Sequence, residues 1–203
     1  MSIVTLNDRA VRSVTTFGSL NTGSMVFIKK LTASSSANLS FVNGSSDVVL
    51  DSTYKEYFFT FKNIHPATDT ADLFVKFRDG STAYDATITT TVFRAYHTEA
   101  GSSTLEYEAS EDVAQGTSGQ GIAYNIGADN DQGVSGYLHL FNPSSTTFVK
   151  HYISKFNAYR YNDYSQTHFS AGYFNTTSAI DEIQFKMSSG NIDAGTITLY
   201  GIN

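Results

Sequence analysis

Four acidic side chains crowd the stretch LEYEASED: Glu106, Glu108, Glu111 and Asp112. Paired carboxylates are the chemistry of glycoside cleavage, one giving a proton while the other attacks or activates water. Alternation puts Glu106 and Glu108 on one face of a strand. Nothing in the spacing places them in a cleft, and a solvated sheet edge is the plainer reading. GADNDQG offers a second chemistry: Asp129, Asn130 and Asp131 are hard oxygen donors on a glycine-flanked loop, a set that calcium could take. The bidentate glutamate of a helix-flanked calcium loop is missing, and Asp and Asn are also residues that tolerate left-handed turns. Asp129 and Asp131 therefore stand as metal candidates set against an ordinary surface turn. GVSGY, residues 133–137, has the outline of a nucleophile elbow without its glycine spacing or its following helix. The histidines His65, His97, His139, His151 and His168 show no ligand spacing, and His139 alternates with Leu138 and Leu140, facing away from both.

Recognition is better represented than catalysis. Residues 152–164 interleave Tyr152, Phe156, Tyr159, Tyr161 and Tyr164 with Asn157, Arg160 and Asn162. Tyrosine buries contact area at little entropic cost and keeps a polar tip, so Tyr159, Arg160, Tyr161 and Tyr164 are candidate contacts for a partner or a glycan. The plainer reading has these rings alternating between core and solvent. In residues 1–20, Arg9 and Arg12 face a single acid, Asp8, while Ile3, Val4, Leu6, Val11, Val14 and Phe17 are too few to fold alone. Such an extended arm could add a strand to a neighbour's sheet edge, with Arg9, Arg12 and Phe17 as contacts.

Composition narrows the classes. The net charge of −6, from 13 basic against 19 acidic residues, leaves no electrostatic footprint for nucleic acid or an anionic membrane. Cysteine is absent, which removes disulfides, thiolate metal sites and a cysteine nucleophile. The N-terminal residues lack the continuous apolar region of a signal peptide, and no window approaches a membrane-spanning length, so a soluble protein made in a cytoplasm is expected. No cofactor is expected.

The elements that must carry these residues read as strands. Residues 53–64 alternate Lys55, Tyr57, Phe59 and Phe61 against Tyr54, Glu56, Phe58 and Thr60, the first set being the better core face. Residues 71–78 bring Leu73, Val75 and Phe77 to one side. Residues 24–33 and 37–43, separated by three serines, read as a hairpin. About eleven strands result, with one short helical turn over residues 104–114. Residues 196–202 form a last strand with apolar character on both faces, expected to pair centrally with an early strand and to be covered on two sides. The fold expected is all-β, two antiparallel sheets over one core, with an arm at 1–20 and a sandwich domain at 21–203.

Three stretches carry a family resemblance: residues 50–84, 135–154 and 171–202. An aromatic strand running into NIHPATD, the turn RDGSTAY and the closing SSGNIDAGTITLYGI resemble small virion structural proteins of marine tailed phages, notably cyanophages. The turn has one glycine fewer than the family's common form. The resemblance covers most of the chain from about Leu31 onward. It implies a concanavalin A-like jelly roll and a non-enzymatic role as a capsid decoration or surface protein. A tail, neck or fibre module that binds a host glycan or receptor is the alternative. It further implies other virion proteins as partners, a homo-oligomer with the trimer among its expected states, and residence in the virion after synthesis in the host cytoplasm.

Overall fold

β-Branched and aromatic residues at period two bury one face of a pleated ribbon and wet the other, and the chain uses this device throughout. The computed structural model describes residues 24–203. Among them are twelve strands and no helix: β1 (Met25–Thr32), β2 (Leu39–Val42), β3 (Glu56–Pro66), β4 (Ala71–Arg78), β5 (Ile88–Thr98), β6 (Ser103–Tyr107), β7 (Gln120–Ile126), β8 (Val134–Phe141), β9 (His151–Tyr159), β10 (Tyr164–Phe174), β11 (Glu182–Met187) and β12 (Ile192–Ile202). All pairings are antiparallel. The larger sheet has the order β1-β12-β3-β8-β9-β10-β5-β6 and the smaller β2-β11-β4-β7. The protein is a β-sandwich. The expected arm, with Arg9, Arg12 and Phe17, lies outside the described residues.

The core between the sheets buries Phe59, Phe61, Leu73, Val75 and Phe77, each on the face read as inward, together with Ile183, Phe185, Ile197 and Leu199; Lys55, at the start of the same alternation, is exposed before β3 begins. Its centre is a chain of edge-to-face rings. Phe185 meets Phe61 at 4.8 Å, Phe59 at 5.7 Å and Phe41 at 6.3 Å between centroids, and Phe61 meets Phe156 at 4.8 Å. Gly136 lets β8 and β9 approach beside this chain, since a Cβ there would stand 2.3 Å from the Lys155 carbonyl oxygen.

The last strand does pair with an early one, lying between β1 and β3. Ile197 and Leu199 are buried against the smaller sheet, but Thr198, Tyr200 and Ile202 lie half-buried on the outer surface, so this chain covers the strand on one side only. One local expectation is overturned and another is narrowed. β1 and β2 are not a hairpin, because the serines between them carry the chain from the larger sheet to the smaller, with Ser35 at φ 48°. The turn expected over residues 104–114 is confined to its second half: residues 103–107 pair with β5, whereas the N–H groups of Glu111 and Asp112 donate to the Glu108 carbonyl at 3.1 and 3.2 Å, closing a single turn that does not continue.

One irregularity positions the site below. The register of β3 on β8 shifts between Phe61 and Ile64, leaving Lys62 and Asn63 both exposed, with Asn63 at φ 50°. This is a bulge, which re-aims side chains at a strand end. The Asn63 N–H donates to Ser135 Oγ at 3.0 Å rather than to the ladder.

Lys150 ties the loops at the opposite end. It is only 1% exposed, and its Nζ donates to the carbonyls of Thr176 (3.0 Å), Ser145 (3.4 Å) and Ser178. Burial lowers its pKa, and the three carbonyls offset the desolvation. Lys150→Met is expected to cost about 2 kcal/mol in urea unfolding, because three loop carbonyls lose a charged donor that is itself buried. It should also speed proteolytic nicking at residues 175–179; unchanged stability and cleavage would count against this role.

Candidate functional site

The hairpin turn between β9 and β10, residues 160–163, brings the sequence-predicted recognition residues to one end of the larger sheet. They do not share one face. Tyr159 turns to the outer side, where its hydroxyl donates to Asp163 Oδ1 at 3.1 Å; that bond holds the phenol above its ordinary pKa. Arg160 turns the other way, its guanidinium carbon 5.5 Å from the Tyr164 ring centre and 5.9 Å from that of Tyr161. Tyr164 in turn stacks on Tyr96 of β5, at 5.5 Å and 16°.

Three concavities meet around this turn. One of about 510 Å³ is walled by the β3 bulge, the 130–135 loop, Asn157, Tyr159 and Asp193. A second of about 360 Å³ shares Asn157 and Tyr159 with it and adds His97, Glu99, Asp163 and Ser165. The third, about 420 Å³, continues past Thr98, Glu99 and Asp163 to Tyr96, Tyr164 and Asn162. Through these shared residues the three adjoin in series around the sheet end, a trough partitioned by Tyr159. Asp131 lines its first part. Asp129 sits at its margin, with its backbone carbonyl 3.1 Å from His65 Nε2. No three His, Cys, Asp or Glu side chains converge on a metal-sized space among the described residues. Sequence reasoning missed Tyr96, His97, Glu99 and Asp193, which reach the trough from other strands and loops. Only Asn157, two residues before Tyr159 and hence on its face, was within reach of the alternation.

The acidic stretch forms a different cluster. Arg94, on the inner side of β5, pairs with Glu106 at 2.9 Å, Glu108 at 2.7 Å and Glu111 at 3.4 Å. The other Glu111 oxygen lies 3.0 Å from Nε2 of His168, which is buried. The Arg94 hydrogen bond lowers the pKa of Glu106, whereas burial raises that of Glu108. Glycosidase pairs stand about 5 Å or more apart so that a sugar or water fits between them. A guanidinium occupies that position here.

The outer surface of the larger sheet is the third feature. Strand register aligns Phe27, Tyr200 and Phe58 across β1, β12 and β3, and Tyr137, Lys155, Phe169, Phe93 and Tyr107 across β8, β9, β10, β5 and β6. Phe58 stacks on Tyr137 at 5.3 Å, which joins the two runs, and Phe93 stacks on Phe169 at 4.6 Å. Lys155 Nζ lies 5.1 Å from the Phe169 ring centre. Comparison of the chain with family models, with curated proteins and with solved structures finds no match.

Proposed function

We propose that this protein is a non-enzymatic structural component of a tailed-phage particle, a capsid decoration or surface protein that docks on the assembled shell. The observation that carries this reading is the aromatic row across the outer face of the larger sheet. Phe27 is 60% exposed, Leu105 72% and Ile153 49%, with Phe93 and Tyr107 exposed beside them. Continuous apolar surface of this kind is uncommon on proteins that work alone and marks interaction faces. The Arg94-clamped carboxylates support the non-enzymatic half of the reading, since they are engaged by a guanidinium rather than free to face a sugar and a water. The family resemblance supplies the particle as the partner.

The test is to detect the chain in purified particles and count it. A copy number in the hundreds gives decoration, and roughly a dozen copies, set by tail symmetry, gives the tail, neck or fibre alternative. The double variant Phe93→Asp with Ile153→Asp should stay folded, because both side chains are exposed, yet be missing from particles. Its incorporation at the normal level, or absence of the native chain from particles, would overturn the proposal.

A further inference from the structure

The trough around the β9–β10 turn has no part in docking through the outer aromatic row, yet it is built as a binding site. We infer that it binds a short neutral oligosaccharide. Its hydrogen-bonding groups are held in place before any ligand arrives. Asn157 Nδ2 lies within hydrogen-bond distance of Ser165 Oγ (3.1 Å), the Gln166 carbonyl (3.2 Å) and Thr167 Oγ1 (3.3 Å), so its two hydrogens are taken and Oδ1 is left as the group's acceptor. Tyr159 is fixed by Asp163, so its ring is a rigid wall between two of the concavities. At the far end the stacked pair Tyr96 and Tyr164 supplies a second aromatic surface. Asn162 Oδ1, beside that pair, is buried without a hydrogen-bond partner.

Charge selects the ligand class. No Lys or Arg lines any of the three concavities, whereas Asp131, Asp163, Asp193 and Glu99 do. A phosphate, sulfate or carboxylate ligand would therefore face four carboxylates with no Lys or Arg to offset them. What the trough accepts is a chain of hydroxyl donors with flat apolar faces, because carboxylate and amide oxygens take O–H groups while tyrosine rings cover C–H faces. A pyranose has both. A basic peptide would also satisfy the carboxylates, so an oligolysine stands among the comparators of the test.

An array of immobilised neutral oligosaccharides of glucose, galactose, mannose and N-acetylglucosamine tests the inference, with sulfated and sialylated glycans and an oligolysine peptide as comparators. The full chain should bind at least one neutral member and none of the anionic ones. Tyr159→Ala should weaken that binding by about tenfold or more, the equivalent of one lost ring contact with its hydrogen bond. Asp131 is exposed and makes no hydrogen bond to the described residues, so Asp131→Ala should fold normally and still weaken binding. Silence across the neutral array, preference for the anionic glycans or oligolysine, or full binding by both variants would overturn it. Tyr159 lies at the end of the outer face, four residues along β9 from Lys155 of the aromatic row, so particle incorporation of Tyr159→Ala should stay normal, which separates failure here from failure of the docking reading.

Discussion

Phe185→Ala should lower the stability of the sandwich by about 4 kcal/mol, a large part of the 5–15 kcal/mol available to a typical domain. Phe185 is buried and makes edge-to-face contacts with Phe41, Phe59 and Phe61, drawing together β2 and β11 of the smaller sheet and β3 of the larger. Removing the ring loses its transfer energy and leaves a cavity that two hydrogen-bonded sheets cannot collapse to fill. Phe27, 60% exposed on the outer face, is the internal control. Phe27→Ala should change stability by no more than about 0.5 kcal/mol. Urea unfolding with an unchanged m-value measures both. Equal losses at the two positions would mean that the core does not lie between the sheets as described.

Arg94→Met should cost about 3 kcal/mol at neutral pH, because the two less exposed of its three partners, Glu108 and Glu111, would be left as uncompensated neighbouring carboxylates. The loss should depend on pH in a set direction. In the native chain burial raises the pKa values of Glu108, Asp72 and Glu182. A carboxyl whose folded value lies above its unfolded one contributes stability that is complete below the unfolded value and is lost as pH rises through the folded value. Glu106, lowered by its Arg94 hydrogen bond, works in the opposite sense, losing its contribution as pH falls through its folded value. Without Arg94, Glu106 loses that support and Glu108 loses the one charge that opposes its upward shift. The variant should then recover on acidification more than the native chain does. Thermal melting of both proteins between about pH 5 and pH 8 should show the gap narrowing toward acid. A constant or widening gap would sink the assignment of Arg94 as the counter-charge, and the groups sharing its surroundings (Glu106, Glu111, His168 and Tyr96) would need separate substitution.

Much of the site's foundation was legible beforehand. That Phe59 and Phe61 point inward while Phe58 points out follows from the pleat, since successive side chains must take opposite sides wherever the backbone is extended. The same rule placed Leu73, Val75 and Phe77 together, turned His139 away from Leu138 and Leu140, and put Glu106 and Glu108 on the same side as each other. The opposite turns of Tyr159 and Arg160 also obey it, although both had been grouped as one contact set. Alternation is local, so a dozen residues suffice to read it.

What alternation cannot supply is which ladder a strand joins, because backbone hydrogen bonds are the same for every partner and only the packing of whole faces chooses among them. Hence the three serines after β1, which read as a hairpin, instead carry the chain between sheets. β12 finds its place between β1 and β3, far from its neighbours in sequence. Arg94 meets Glu111 and His168, 17 and 74 residues further on by their numbering, only because β10 pairs with β5 and the segment after β6 folds back over them. The trough likewise needs a bulge at Asn63, a loop at 130–135 and the β9–β10 turn to arrive at one sheet end. Composition and period two determined an all-β chain and the inward faces of β3, β4 and β8. Tertiary structure alone decided strand order, the burial of charge around Arg94 and the existence of a trough, since each depends on contacts between segments that share no local signal.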